Sequence, residues 1–191
     1  MIMAEISSGR HDRAGIVDVA LRILDAHGLA DLTMRRLAAE LDVRASALYW
    51  HFESKQILLA ALADRIVADA AVPDDASATE VARALRDALL AHRDGAEVVL
   101  STQALALGED APRRRIAASL RSVLGEPQSQ QAATILLQFV LGHASLVQQR
   151  IQAAALGVVD QDPATAAAEA LADFERGIAV ILAGLALEAA R

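Results

Sequence analysis

The chain has 191 residues, of which 54% are apolar and 23% are charged, and its formal net charge at pH 7 is −7. This length and apolar content are enough for one compact unit or two small helical layers. The absence of cysteine excludes disulfides and thiolate metal sites and indicates a cytoplasmic protein. The acidic balance excludes an argument for nucleic-acid binding from overall charge.

The composition favours an all-α protein. The chain contains 44 alanines but only three Phe, one Tyr, one Trp and four Pro, which suits closely packed helices better than sheets. The N-terminus has no apolar signal segment, and the longest apolar run, residues 178–187, is too short to cross a bilayer. We therefore expect no membrane partner.

The first predicted helix covers residues 10–27, with Gly28 as its C-terminal stop. Apolar residues recur along it at helical spacing, so one face is expected to pack inward. These inward positions are Ile16, Ala20, Leu21, Ile23 and Leu24. The helix is expected to brace the segment that follows.

A pair of short helices around a tight turn is predicted next. Thr33 is a good N-cap for the first, which should end near residues 42–43, and the second should cover residues 44–50. The positions expected to hold the pair together are Leu37, Ala38, Leu41, Val43, Ala47, Leu48 and Phe52. This layout predicts a helix-turn-helix that reads DNA.

The second short helix leaves an unusual set of side chains for solvent: Arg44, Ser46, Tyr49, Trp50 and His51. Aromatic area is normally buried, whereas a DNA reader can use it on sugars, phosphates and thymine methyls. Two alternatives stay open here. Tyr49 and Trp50 could cap a small core, and His51 could bond a backbone carbonyl instead of a phosphate.

The electrostatic support for DNA binding is local. Residues 1–71 carry eight Arg and Lys against ten Asp and Glu, but residues 33–56 carry four basic against three acidic side chains. Lys55, the only lysine, is expected to start the next helix within reach of a phosphate. Modest affinity with a shallow salt dependence would follow.

Six further helices are expected downstream. A helix over residues 54–71 leads to a Pro/Asp-rich boundary at residues 72–75, and Gly and Pro residues delimit the remaining ones. Their expected ranges are 77–93, 96–107, 112–124, 128–156 and 163–189, the last capped by Asp162. We predict a helix-turn-helix domain over residues 1–53, a linking helix over 54–71 and a regulatory domain over 72–191.

Two other sets of polar residues invite functional interpretations. Arg113, Arg114 and Arg115 are expected to be a solvated helix face beside Glu109 and Asp110 rather than a second basic patch. His92 and His143 have no metal-ligand spacing and no catalytic constellation around them, so we expect histidines hydrogen-bonded within a helical core. Catalysis is a formal competitor only, and no enzyme activity is predicted.

The segments VDVALRILDAHGLADLT, LYWHF-x-x-K and KQILLAALADRIV resemble the tetracycline-repressor family of bacterial transcription regulators. The resemblance continues through LLAHRDGAEVVLST, FVLGHASLVQQ and FERGIAVILAGLAL, which look like the regulatory half of the tetracycline repressor itself. It implies an N-terminal three-helix helix-turn-helix domain and a C-terminal helical domain for ligand binding and dimerisation. It also implies a homodimer joined by a four-helix bundle.

Residue roles follow from this resemblance. Arg35 and Lys55 are expected to contact phosphates, and Arg44 and Ser46 are expected to contact bases. Ala45 can offer only a methyl contact. The other expected DNA-binding residues are Thr33, Tyr49, Trp50 and His51. The expected dimer residues are Leu137, Leu141, Ile178, Ile181, Leu182 and Leu185. The expected function is a homodimeric repressor released from a palindromic double-stranded operator by a small molecule. The alternative is a helical module that sequesters a ligand or protein and has little DNA affinity.

The chain departs from the tetracycline repressor at the positions that hold its ligand. Val99 and Ile151 stand where that protein holds magnesium, and Ala71 and Val81 stand near two of its polar drug contacts. Neither Val99 nor Ile151 can bind a hard cation. We therefore expect an apolar effector that is not a magnesium–tetracycline chelate, with no metal or cofactor. The expected pocket residues are Val81, Leu85, Val99, Thr102, Ile135 and Gln138.

Overall fold

The computed structural model describes residues 12–158 and 163–189, which form helices and, within these ranges, no strand. The all-α prediction is confirmed. In chain order the helices are α1 Arg13–His27, α2 Met34–Glu40, α3 Ala45–Leu48, α4 Lys55–Ala68, α5 Ala78–Leu90, α6 Gly95–Ala104, α7 Ala111–Leu124, α8 Gln128–Ala155 and α9 Pro163–Ala189. The predicted start at Arg10 and the predicted cap Asp162 lie outside the described residues.

The chain divides into two compact units. The first contains residues 12–66 and 91–109, and the second contains residues 67–90 together with the described residues from 110 onward. The first unit therefore includes a segment that lies well beyond the helix-turn-helix in the sequence. The predicted functional boundaries, after residues 53 and 71, stay predictions.

The ends of α1 follow from its local sequence. The side chain of Asp12 accepts the N–H of Gly15 at 2.7 Å, so it caps the first turn. At the other end Gly28 has φ 84°, and its N–H donates to the carbonyl of Leu24. A residue with a Cβ adopts that backbone conformation poorly, which explains why the helix ends at a glycine. The five predicted inward residues of α1 are buried.

The helix-turn-helix is shorter than predicted. Thr33 accepts the N–H of Arg36 at 3.1 Å and caps α2 as expected. The helix α3 has only four residues, Ala45–Leu48, and within this one turn only Leu48 is buried. Ala47 is exposed and Val43 is half-buried, so the prediction that Ala47 helps to lock the two helices is wrong. Leu48 and Phe52 supply that packing, with 2% and 0% of their surface exposed.

The second unit is built around the long helix α8, which packs against α5, α7 and α9. A reciprocal pair of hydrogen bonds opens α5: Ser77 donates to the carboxylate of Glu80, and Ser77 Oγ accepts the N–H of Glu80. These bonds lower the pKa of Glu80. Gly125 ends α7 with φ 67°. No described helix is long and apolar enough to span a membrane.

The arginine face on α7 is solvated as predicted at two of its three residues, and Arg113 is half-buried. Arg113 donates to the carboxylate of Asp110 and to the side-chain oxygen of Gln130. Arg115 donates to the carbonyl of Ala70 at 2.8 Å. Arg114 and Arg115 are exposed. The contacts of Arg113 and Arg115 stabilise the second unit locally.

Candidate nucleic-acid interface

The most exposed aromatic residue of the helix-turn-helix lies two positions after the end of α3. Trp50 is 91% exposed and Tyr49 is 50% exposed, while the neighbouring Leu48 and Phe52 are buried. The chain therefore points two apolar residues into the unit and two aromatic ones outward. The interpretation of Trp50 as a core cap is wrong. Exposing an indole costs solvation free energy, which a binding partner recovers by covering it.

Arg13 at the start of α1 holds this aromatic segment in place. Its guanidinium donates to the backbone carbonyl of His51 at 2.7 Å and lies 4.4 Å from the centroid of the Phe52 ring. The carbonyl of His51 is thus occupied, and the imidazole is exposed. No local sequence pattern reveals this role of Arg13, because the contact joins residues 38 positions apart.

The residues predicted to make polar contacts with DNA lie on or next to α2, α3 and α4. Arg44 and Ser46, at the beginning of α3, are exposed, as is Arg35 on α2. Ala45 and Lys55 are half-buried. Thr33 is exposed, and its hydroxyl is used in capping α2. Their contacts with DNA stay predictions, but most of the side chains are accessible to a ligand.

A distant turn braces the helix-turn-helix from within the same unit. The carboxylate of Asp94 accepts the N–H of Leu29 at 2.8 Å, directly after Gly28 ends α1. Asp25 accepts the backbone N–H of Arg93 at 3.2 Å, and His92 Nδ1 lies 3.1 Å from the same carboxylate. His92 is therefore a hydrogen-bonded structural residue. No cluster of three metal-ligating side chains occurs within the described ranges.

A second contact of the same kind involves α4. Asp64 accepts the N–H of Glu109 at 2.8 Å, and a Cβ added to Gly108 would lie 3.0 Å from the Asp64 carboxylate. Burial raises the pKa of Asp64; the bond from Glu109 opposes the shift, and the charge of Glu109 adds to it. The segment after α6 is thereby fixed to α4.

The other predicted site residues are divided between the units. Val99 and Thr102 are buried in the first, where Thr102 Oγ1 donates to the Val99 carbonyl at 2.9 Å. In the second unit Val81 and Leu85 are buried, whereas Ile135 and Gln138 are exposed. The effector pocket stays a prediction.

The predicted dimer residues also differ in burial. Leu137, Leu141 and Ile178 are buried within the single chain, and Ile181, Leu182 and Leu185 are half-buried. Other apolar side chains on α8 and α9 are exposed, namely Ile135, Leu146, Ile151, Leu171, Val180 and Leu187. The interface assignment stays a prediction.

Comparison with known families identifies the fold around this surface. Residues 16–62 match the family described as bacterial regulatory proteins, tetR family. Residues 74–174 match the tetracyclin repressor-like C-terminal domain. The two matches cover most of the chain. The chain belongs to the tetR family. As a tetR-family protein it is a ligand-responsive DNA-binding repressor, which confirms this part of the prediction from the sequence.

Individual relatives agree with this assignment. The chain is 33% identical to the class A tetracycline repressor protein from transposon 1721 of Escherichia coli, over 90% of this chain and 88% of that protein. The structure of Mycobacterium smegmatis BioQ has a TM-score of 0.82 and 37% identity, covering 92% of this chain and 97% of that one.

Two related structures contain ligands. BioQ with its natural double-stranded DNA operator has a TM-score of 0.76 and 36% identity, with 91% of this chain and 97% of that one covered. ActR of Streptomyces coelicolor in complex with (S)-DNPA has a TM-score of 0.73 and 29% identity, with 93% and 98% covered. These ligands belong to those two proteins.

Proposed function

We propose that this tetR-family protein acts as a homodimer that reads two half-sites of a palindromic operator, placing the segment around α3 of each subunit in a major groove. Half-sites one helical turn apart lie about 34 to 36 Å from each other. A change of a few ångströms in the spacing of two heads would spoil simultaneous contact. Repression would therefore depend on subunit geometry as much as on the reading surface.

The observation that carries the DNA-binding proposal is the 91% exposure of Trp50 on a segment that is anchored at both ends. Leu48 and Phe52 are buried on one side, and Arg13 holds the His51 carbonyl. In this arrangement Tyr49 and Trp50 contact the sugar-phosphate backbone and thymine methyls. Arg44 and Ser46 read base edges, and Arg35 and Lys55 fix the protein on phosphates.

The homodimer is supported by the apolar residues left exposed on α8 and α9. Leu146 is 58% exposed and Ile151 59% on α8, and Val180 is 66% exposed and Leu187 69% on α9. Apolar area of this extent on two neighbouring long helices favours association with a second copy. In the proposed four-helix bundle, Ile181, Leu182 and Leu185 contact the partner subunit.

A small molecule is proposed to release the operator. It need only favour the non-binding geometry by about 1 to 3 kcal/mol, the usual range of allosteric coupling. Its body is apolar. It binds without metal, since the side chains of Val99 and Ile151 offer no oxygen or nitrogen ligand. By reciprocity, operator DNA weakens effector binding by the same factor. The protein has no enzymatic role in this scheme and acts in the bacterial cytoplasm, where its operator is.

Selection from random duplex DNA at moderate salt, followed by sequencing of the retained DNA, tests this function. An enriched palindrome with two short half-sites is expected for the wild-type protein, and none for a Trp50→Ala, Arg44→Ala control. No enrichment by the wild type, even at low salt, would refute operator binding. It would favour the sequestering module, whose best support is the net charge of −7.

A further inference from the structure

Two buried nitrogen atoms in the second unit lack hydrogen-bond partners in the part of the chain that the structure describes. They are Nε of Arg86 on α5 and Nδ1 of His143 on α8. Both side chains lie against the fully buried ring of Phe174 on α9. The Arg86 Cζ is 5.2 Å from the ring centroid, and the His143 ring centroid is 5.0 Å from it. The two side chains therefore belong to one cluster around the Phe174 ring.

Arg86 is an unusual residue for its position. Only 9% of it is exposed, and its Nη1 donates to the carboxylate of Asp87 at 3.1 Å. The Asp87 side chain is 72% exposed, so water screens the charge that it provides. One turn earlier, Arg83 is half-exposed and makes two hydrogen bonds of 2.6 Å with Glu175. Burying a guanidinium with a free donor costs free energy that an apolar residue would not.

His143 presents the second nitrogen in a defined tautomer. Its Nε2 donates to the carbonyl of Ala170 at 2.9 Å, so in the neutral ring Nδ1 carries the lone pair. Burial lowers the pKa of His143, and the charges of Arg86 and Arg150 lower it further. The Ala170 carbonyl and the charge of Asp173 act in the opposite direction. These shifts favour the neutral imidazole in the protein without a bound ligand.

Aromatic rings form the rest of the cluster. Phe139 stacks on Phe174 with 5.7 Å between centroids and 16° between planes, and it lies 6.0 Å from His143. The surroundings of the two nitrogens are therefore largely apolar, since the Phe174 ring is fully buried. A small organic acid has the matching chemistry, because it combines an apolar body with an anionic group.

We propose that Arg86 and His143 recognise the carboxylate of a small aromatic acid whose ring lies against Phe139 and Phe174. The proposal rests on the proposed function and names the chemical class of its effector: an apolar body that carries one acid group. Arg86 Nε–H donates to one carboxylate oxygen. The bound anion favours the protonated imidazole, so that Nδ1–H of His143 donates to the other.

The test uses 1-naphthoate as the probe and 1-naphthalenemethanol as its neutral match, titrated into the full chain by calorimetry. The alcohol has no carboxylate to accept the charge-assisted hydrogen bond in the buried site. It should therefore bind at least about tenfold more weakly than naphthoate. Arg86→Met should weaken naphthoate binding by at least about tenfold, because it removes the donor. Arg83→Met, on the same helix, is the matched control and should change it by less than about twofold.

A second readout separates recognition from packing. Nuclear magnetic resonance of ¹³C-labelled histidine should show the pKa of His143 rising on addition of naphthoate to the wild type, and not on addition of the alcohol. This arm needs no variant, so it holds even if Arg86→Met does not fold. The expected stability of Arg86→Met is no lower than that of Arg83→Met, since Nε has no partner and the Nη1 bond goes to the solvent-exposed carboxylate of Asp87.

Four results would overturn the inference: no naphthoate binding at millimolar concentration, equal affinity for the alcohol, an unchanged pKa of His143, or binding within twofold in Arg86→Met. Operator binding is measured on the same preparation. Wild-type protein that selects an operator but ignores naphthoate refutes the acid site alone. Protein that binds naphthoate but selects no DNA refutes the proposed function and leaves the acid site standing.

Discussion

The carboxylate of Asp94 accepts the backbone N–H of Leu29 at 2.8 Å, although 65 positions separate the two residues in the chain. Leu29 follows the glycine that ends α1, so its N–H has no partner inside that helix. The bond supplies one and fixes the connection between α1 and α2. The helix-turn-helix is therefore held from outside its own sequence.

Asp94→Ala should destabilise the protein by about 1 to 3 kcal/mol, because a partly buried N–H loses its acceptor. The measurement is the midpoint of urea unfolding at fixed protein concentration. Asp31→Ala is the control: its ion pair with Arg36 is long, at 3.6 Å, and its side chain is 61% exposed. It should cost less than about 1 kcal/mol. Equal losses in the two variants would contradict the bracing role.

Trp50→Ala should weaken operator binding by about tenfold or more and leave stability within about 0.5 kcal/mol of wild type. The reason is that the indole contacts solvent rather than the core. Leu48→Ala serves as the opposite case and should cost about 2 to 5 kcal/mol of stability. Mobility-shift titration and urea unfolding measure the two effects. A strongly destabilised Trp50→Ala would assign the indole a structural role.

Arg44→Ala and Lys55→Ala should weaken DNA binding in different ways. Loss of a base contact at Arg44 should relax preference at one base pair by about 1 to 3 kcal/mol. Loss of a phosphate contact at Lys55 should weaken all sequences about equally and reduce the slope of log affinity against log salt by about one. Competition titrations with single-base operator variants distinguish them. Unchanged affinity and preference in Arg44→Ala would remove it from the base readers.

Asp64 should make stability depend on pH in the direction opposite to Glu175. Burial raises the pKa of Asp64 in the folded state, so its contribution to stability is greatest in acid and is lost as pH rises through that pKa. Asp64→Asn keeps an oxygen acceptor for Glu109 and loses the charge. It should be at least as stable as wild type at pH 7, with the difference shrinking as pH falls.

Glu175 supplies the comparison. The hydrogen bonds from Arg83 lower the pKa of Glu175, so its contribution to stability is present above its unfolded pKa and is lost as pH falls through its folded pKa. Glu175→Gln should be less stable than wild type at pH 7, with the difference again shrinking in acid. Urea unfolding at about pH 4 and pH 7 measures both variants. The same sign at neutral pH for both would contradict this account.

Gly177→Ala should destabilise α9 by about 1 to 3 kcal/mol, because an added Cβ would overlap the ring of Phe139, which is stacked on Phe174. Gly184→Ala, on the same helix, meets no atom within 4 Å. It should stabilise by about 0.5 to 1 kcal/mol through helix propensity. Thermal unfolding of the two variants measures the difference. A stabilised Gly177→Ala would show that the ring moves aside without cost.

The helices could be predicted well from local signals. Thr33, Gly28 and Gly125 cap or end the helices where sequence placed them, because each acts on its own neighbours. The packing inside the helix-turn-helix was predicted less well. Ala47 was expected to be buried, but α3 is a single turn and leaves it exposed. The long-range contacts could not be predicted from the sequence. Arg13 with His51 and Asp94 with Leu29 depend on tertiary packing, which carries no periodic signal.

The cluster around the Phe174 ring could not be predicted from the sequence either. Helical spacing places position 86 of α5 beside buried neighbours, but a sequence does not reveal whether an arginine there reaches water. The burial of Arg86 becomes apparent only with Phe174 in place. His143 was expected to be hydrogen-bonded within a helical core, and its bond to Ala170 agrees. Its free Nδ1 was not foreseeable.

The grouping of residues 91–109 with residues 12–66 matters for anyone who recombines regulators of this kind. A chimera joined after residue 53 or 71 would transplant the reading helices without the turn that carries Asp94. Exchanging both segments together preserves three native hydrogen bonds. They join Asp25 to Arg93, Leu29 to Asp94 and Asp64 to Glu109. In a chimeric regulator built from this protein, the junctions that keep each unit intact lie after residue 66, before residue 91 and after residue 109.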